Sequence, residues 1–261
     1  MPELPEVEAV CAVVRRALAG RTVVAFRILR RRICSPQRPA TVERAVAGRR
    51  FLAVERRGKA IEIRLDGATL WIHLRMTGNL YRIANARLRA HTVSAYFVLD
   101  DGGVLVFDDP RGLGVLRLGP APPTGLDPLN PEFTAARFVE LARRGRGAIK
   151  TWLLDQHRIA GLGNIYAAEA LFEAGIDPRR SPDSLRRPRL ERLHGAIVRI
   201  LTDAVESASL AYQRPGGFAD GERFDPAVYG REGLPCLRCG RPIRRLVQGG
   251  RSTYLCPGCQ R

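Results

Sequence analysis

The sequence predicts a two-domain α+β protein: an antiparallel β domain led by one helix, then a helical domain closed by a four-cysteine module. Three observations carry this. The apolar residues switch from helical spacing to short alternating runs near Arg21, and return to helical spacing beyond residue 131. The stretch GPAPPTGLDPLNP, residues 119–131, is rich in proline and glycine, has no periodicity, and reads as an interdomain linker. Four of six cysteines fall at the C-terminus as Cys236-x2-Cys239-x16-Cys256-x2-Cys259. The expected boundaries are 1–118 for the β domain, 119–131 for the linker, 132–233 for the helical domain and 234–261 for the cysteine module.

Taken in order, Val7, Val10, Cys11, Val14 and Leu18 recur at helical spacing, which predicts an amphipathic helix from Glu3 to Ala19 that ends at Gly20. Cys11 is then a small core residue. Six runs follow as strands: TVVAFRIL, FLAVERR, AIEIRL, TLWIHLRM, VSAYFVL and VLVFDD. Turns such as Asp66-Gly67 and Asp101-Gly102-Gly103 bound them. This spacing fits an antiparallel sandwich or barrel rather than βαβ units. Helices are expected near 134–144, 149–156, 164–174 and 188–210, and residues 212–233 as a loop. No internal repeat is present.

The net charge of +17, from 43 Lys+Arg against 26 Asp+Glu, is carried almost wholly by arginine. Arginine's planar fork suits phosphate, so nucleic acid is the favoured partner and an anionic membrane surface the alternative. No apolar run approaches the roughly 20 residues that span a bilayer, and no signal peptide is visible. The expectation is a soluble, intracellular protein.

Two CxxC pairs supply four thiolates, the tetrahedral set that Zn²⁺ prefers. With every ligand from the protein, one zinc ion would be structural. The segment between the pairs carries Arg241, Arg244, Arg245 and Arg251. A two-strand zinc hairpin with Arg251 at its tip would make a compact DNA contact; a merely solvated basic hairpin is the plainer reading.

The first six residues, MPELPE, admit two readings. Pro2 and Pro5 stiffen a helix start, where proline is tolerated. Alternatively, removal of Met1 leaves Pro2 as a secondary amine that titrates near ~7.7–8.0 and can attack an aldehyde-level carbon to give an iminium. Glu3 and Glu6 share one face of that first turn. The segment Ile149–Gly175 reads as helix, turn, helix, with Gly161 and Gly163 at the turn. Asn164 stands at the start of the second helix, either as an N-cap or at a phosphate-binding helix N-terminus to which Lys150 adds a point charge.

Four motifs occur in order: MPELPEVE, HLRMTG, LDQ…AGLGNIYA and the two-CxxC finger. With them the chain resembles the formamidopyrimidine-DNA glycosylase family, and the likeness covers essentially its whole length. The resemblance implies an N-terminal β-sandwich with a leading helix, a C-terminal helix–two-turn–helix domain with a zinc finger, and double-stranded DNA held in the cleft between them. It implies a monomeric enzyme, cytoplasmic and nucleoid-associated, that is both a DNA glycosylase and an abasic-site lyase on oxidised purines. Pro2 is then similar to the family's nucleophile at C1′ and Glu3 to its acid/base at the deoxyribose. Glu6 matches a supporting carboxylate, and Lys59, in RRGK, a lysine near the phosphate. His73, Asn164 and Arg251 match phosphate contacts. Met76 matches the apolar plug that fills the space of the flipped nucleotide, and Arg111, in DDPRGLG, the arginine facing the orphaned base.

The chain departs from the family pattern at Leu113, where an aromatic residue is usual. A leucine wedge would stack less well on bases beside the lesion, so the resemblance does not carry opposite-base or lesion preference over to this chain. In the 212–233 loop, Phe218, Phe224 and Tyr229 are candidates for a base pocket. Two alternatives follow: an endonuclease VIII-like glycosylase for oxidised pyrimidines or crosslinks, and a non-catalytic zinc-finger DNA-binding protein.

Overall fold

A computed structural model describes residues 2–84, 91–211 and 224–261. Phe218 lies outside them. The described residues form two compact units, 2–123 with 207–211, and 124–206 with 224–261.

The first unit opens with α1 (Leu4–Leu18), whose N-cap is Glu3. Glu6 accepts the Glu3 N–H at 2.7 Å, and the two residues form a capping box. Two four-stranded antiparallel sheets follow. One has the order β1 (Val23–Ile28), β6 (Val93–Leu99), β7 (Val104–Asp108), β5 (Asn79–Ile83). The other has the order β2 (Phe51–Arg57), β3 (Ala60–Leu65), β4 (Ala68–His73), β8 (Val115–Leu118). A sandwich, not a barrel, is the outcome.

The helix α1 packs on β2 and β5, one edge strand from each sheet. Its buried Val7, Val10, Cys11, Val14 and Leu18 join Phe26, Ile61, Ile63, Ile72, Phe97 and Phe107 in a single core. That core fixes the helix, and with it the position of its first turn.

Three expected strands are observed with their predicted ends, and the other three shorten by one or more residues. The strands β5 and β8 and the short helix α2 (Pro39–Val46) have no counterpart in the sequence reading. Each is short, and β5 carries Asn79 and Arg82 in place of a clean alternation. α2 has only Val42 and Val46 as a buried pair.

In the second unit, α3 (Ala135–Arg143), α4 (Ile149–Leu153), α5 (Asn164–Glu173) and residues 187–206 of α6 (Arg187–Ala211) precede a hairpin of β9 (Arg244–Gln248) and β10 (Arg251–Leu255). Phe138, Trp152, Leu162, Leu171, Leu193 and Leu201 are among its buried apolar residues. α4 ends three residues before the expected 156, because the chain turns at Asp155: its carbonyl accepts the amides of Arg158 (2.9 Å) and Ile159 (3.0 Å). The segment expected as linker is in part ordered into this unit. Leu126 bridges Ile159, its N–H donating to the Arg158 carbonyl at 2.9 Å while its own carbonyl accepts Ala160 N–H at 2.8 Å.

Candidate active site, nucleic-acid contacts and zinc centre

In the first unit, Pro2 precedes the helix and Glu3, 2% exposed, caps it. Glu8, one turn on, receives Arg15 at 2.8 Å and Arg56 at 2.8 Å. Arg56 also donates to the Gly58 carbonyl at 3.2 Å. One buried guanidinium therefore ties α1 to the β2–β3 turn, where Gly58 takes φ +59 and Lys59 follows, nearly buried. Neither Glu8 nor Arg56 stands out in the sequence.

Lys59 immediately precedes Ala60, which pairs across the ladder with His73. The ring of His73 accepts the Arg75 amide at Nδ1, 3.0 Å away, so the neutral ring carries its proton on Nε2. Burial, with Arg75 and Lys59 close by, pushes its pKa down to about 4. At neutral pH His73 is thus an uncharged donor beside a cationic lysine.

Arg75 holds φ +57, the one non-glycine positive φ among the described residues. A left-handed turn at a residue with a Cβ costs about 1 kcal/mol and clusters at functional sites. The turn leaves Met76 43% exposed, outside the core. Arg111 and Leu113 are likewise exposed, on the segment between β7 and β8. The Thr77 hydroxyl joins the two segments: it donates to buried Asp109 at 2.6 Å and accepts the Arg111 N–H at 3.2 Å.

In the second unit, Gln156 staples the turn between α4 and α5. It donates to the Leu162 carbonyl at 2.8 Å and accepts the Gly161 N–H at 2.9 Å. Gly161 has φ +78, as a tight turn requires. Gly163 is extended and is itself the N-cap of α5, so Asn164 is the first helical residue and not the cap. Its side chain is drawn elsewhere: Nδ2 donates to the Ser252 carbonyl at 3.0 Å, and Oδ1 accepts from Lys150. Lys150 also donates to the Ser252 carbonyl, at 3.2 Å. Lys150 is fully buried, its charge spent on aligning Asn164 with the zinc hairpin. Arg251 is exposed at the hairpin end, beside Gly249 and Gly250 in left-handed geometry. Of 43 cationic side chains only Lys59 and Lys150 are lysines, and both are buried.

Helix α5 also carries Glu169, buried, whose carboxylate accepts the N–H groups of Ala227 (2.8 Å), Val228 (3.0 Å) and Tyr229 (2.7 Å). Burial raises its pKa against those three amides. Phe224 rests on Tyr166 of the same helix at 5.3 Å, and Tyr229 packs edge-on to Tyr254.

The ligand atoms of Cys236, Cys239, Cys256 and Cys259 lie within 4.8 Å of one another. Sγ separations of 3.9 Å (Cys236 to Cys259) and 3.4 Å (Cys239 to Cys256) bracket the roughly 3.8 Å edge of a tetrahedron with Zn–S bonds of about 2.3 Å. The site fits one structural zinc. Cys236 and Cys256 pack with Ala168 and Phe172 of α5, Val228 and Ile243, so the metal centre is continuous with the helix that bears Asn164.

Three successive matches cover most of the chain: the formamidopyrimidine-DNA glycosylase N-terminal domain over residues 1–116, the formamidopyrimidine-DNA glycosylase H2TH domain over 124–214, and the zinc finger found in FPG and IleRS over 233–261. The chain belongs to the formamidopyrimidine-DNA glycosylase family. Relatives bearing the family name are 42% identical in Symbiobacterium thermophilum, covering all of this chain and 89% of that one, and 40% identical in Herpetosiphon aurantiacus, covering both chains in full. Among solved structures, a MutM complex with carbocyclic 8-oxo-G DNA superposes with a TM-score of 0.89 at 28% identity, covering both chains in full. The Lactococcus lactis Fpg with abasic-site DNA gives 0.88 at 27%, covering 99% of each. As a family member the chain is a DNA-repair glycosylase. No described helix is long and apolar enough to cross a membrane.

Proposed function

We propose that the protein excises oxidised purines, 8-oxoguanine and formamidopyrimidines, from double-stranded DNA and then cleaves the strand at the resulting abasic site. The observation that carries this reading is the mounting of Pro2 ahead of α1, next to the Glu3–Glu6 capping box, in a chain that matches its family from end to end. The ligands named for the related complexes, 8-oxo-G, abasic-site and Fapy-dG DNA, support the substrate class.

With Met1 removed, the Pro2 nitrogen attacks C1′ and the bond from C1′ to the base breaks, its electron pair leaving with the base. Glu3 protonates the ring oxygen as the sugar opens, giving an iminium. That cation acidifies C2′–H; loss of this proton expels the 3′ phosphate by β-elimination, and a second elimination expels the 5′ phosphate. Water then hydrolyses the iminium and frees Pro2. Glu6 holds the Glu3 backbone. Lys59 and His73 contact the lesion-strand phosphates from the first unit, and Asn164 and Arg251 from the second, with Lys150 aligning Asn164. Met76 fills the vacated stack and Arg111 reads the orphaned base. Zinc keeps the finger folded and takes no part in the bond changes.

Borohydride trapping on 8-oxoguanine duplex tests the reading. Wild type should form a covalent adduct, and an N-terminally extended variant, whose Pro2 nitrogen stays acylated, should form none. An adduct in the extended variant, or none in wild type of confirmed N-terminal mass, sinks it. Exposed Leu113 favours a second reading, excision of oxidised pyrimidines. A lesion panel separates the two by which duplex is cut faster.

A further inference from the structure

The segment that presents Arg111 is held from three sides by side chains with no part in the chemistry above. Arg32, in the turn between β1 and α2, sends its fork to two successive carbonyls. Nη2 donates to Arg111 O at 3.2 Å and to Gly112 O at 2.6 Å, and Nε to Gly112 O at 2.8 Å. Arg30 donates to Asp109 O at 2.6 Å. Buried Asp109 accepts Gly114 N–H at 2.7 Å and the Thr77 hydroxyl at 2.6 Å. Thr77 in turn accepts the Arg111 N–H. Both backbone polar groups of Arg111 are therefore occupied, its N–H by Thr77 and its carbonyl by Arg32.

The turn inside the segment is equally constrained. Gly112 sits at φ +59, and a Cβ there would lie 2.5 Å from Arg30 Nη1. At Gly114 a Cβ would lie 2.5 Å from the Phe107 ring. With its peptide groups pinned, the Arg111 Cα–Cβ direction is set, and only the side-chain torsions remain to choose. The Thr77–Asp109 bond extends the same frame to Met76, one residue away in sequence.

We propose that Arg32 is a positioning residue for opposite-base recognition: it fixes the backbone from which Arg111 projects, and through Thr77 and Asp109 that backbone moves as one body with the Met76 turn. This rests on the assignment of Arg111 as the base-reading side chain. A bidentate contact to a base edge discriminates only if its origin is held, so loosening the origin should erode discrimination before it erodes chemistry.

The test compares wild type, Arg32→Ala, Arg32→Lys and Thr77→Val on 8-oxoguanine opposite each of the four bases. A second substrate is an abasic site facing a second abasic nucleotide, which presents no base edge. Arg32→Ala should flatten the opposite-base ratio of kcat/KM by about fivefold or more, the scale of one well-placed bidentate contact, while adduct formation on the edge-free duplex stays at the wild-type level. Arg32→Lys, one donor cluster instead of a fork, should recover only part of the ratio. Thr77→Val should flatten it without touching Arg32. An unchanged ratio in both Arg32→Ala and Thr77→Val overturns the proposal, as does a parallel loss on both substrates. Absence of any adduct in wild type, by contrast, counts against the underlying functional reading.

Discussion

Lys150 donates to the Asn164 side chain, and both side chains donate to one carbonyl, that of Ser252. A residue of α4, the first of α5 and a residue of the zinc hairpin thus meet at a single buried point. The neighbour of Ser252 is Arg251, so the two expected phosphate contacts of this unit, Asn164 and Arg251, are set by one ammonium. A compact ammonium suits these two convergent acceptors where a planar fork does not.

Lys150→Arg should therefore fail as a conservative change. Inserting the larger group at a fully buried site should cost about 1–3 kcal/mol in urea unfolding. Lys150→Met should keep more of the volume yet weaken lesion-duplex binding by about tenfold, the scale of a lost charged hydrogen bond. Equal stability and equal binding for wild type and Lys150→Arg would show the ammonium has no special place.

The pH response of His73 follows from its environment. Folded, burial and its cationic neighbours hold its pKa at about 4, against 6.5 as the ordinary value. Between those limits the unfolded chain binds the extra proton, so stability from the neutral ring is full above pH 6.5 and declines as pH falls toward 4. The shift corresponds to about 3 kcal/mol at most. Urea unfolding of wild type and His73→Gln across that window should show a shallower pH slope for the variant; identical slopes would remove the argument. Above pH 6.5 the protonation of His73 should leave DNA binding flat.

Removal of zinc should act on DNA binding through α5. The thiolates pack on Ala168 and Phe172, on the helix that begins with Asn164. Chelation, or Cys256→Ser, should lower the unfolding temperature and weaken duplex binding by at least about tenfold, given how strongly four-thiolate sites couple metal to folding. Zinc added back to chelated wild type should restore both. Retained affinity in metal-free protein would separate the finger from recognition.

The outlines of both domains are legible in the sequence because their apolar residues repeat. α1, β2, β3, β6 and α6 bury continuous or regularly spaced faces. The strands β5 and β8 escape because each is a short edge strand whose ladder partner among the described residues is distant in the chain, Val104–Asp108 and Ala68–His73. Among the candidate site residues, Pro2, Glu3 and the four cysteines are marked by motif and spacing. Arg32, Arg56, Asp109 and Glu169 do not: in an arginine-rich chain nothing local marks the guanidinium that happens to meet two carbonyls. Asn164 stands at the helix start that the sequence indicates, but the N-cap is Gly163, and the Asn164 side chain bonds Lys150 and the Ser252 carbonyl instead.

Leu113 gives the last expectation. It is 40% exposed and projects from the segment that Arg32 and Asp109 hold, so little packing is lost or gained when it changes. Leu113→Phe should leave stability within about 0.5 kcal/mol, as for surface substitutions away from such features. An aromatic face there can stack on a base, an interaction of about 1–3 kcal/mol where it forms. Binding to abasic or 8-oxoguanine duplex should tighten by about fivefold or more, with the larger gain in the dissociation rate, since a wedge acts after encounter. The reference must be Leu113→Ala, which removes the wedge from the same frame. If Phe, Leu and Ala dissociate at one rate, the exposed position lies off the DNA, and Met76 alone fills the stack. If the order is Phe slowest and Ala fastest, the braced segment delivers a second wedge, and leucine at this position is a weakened form of it.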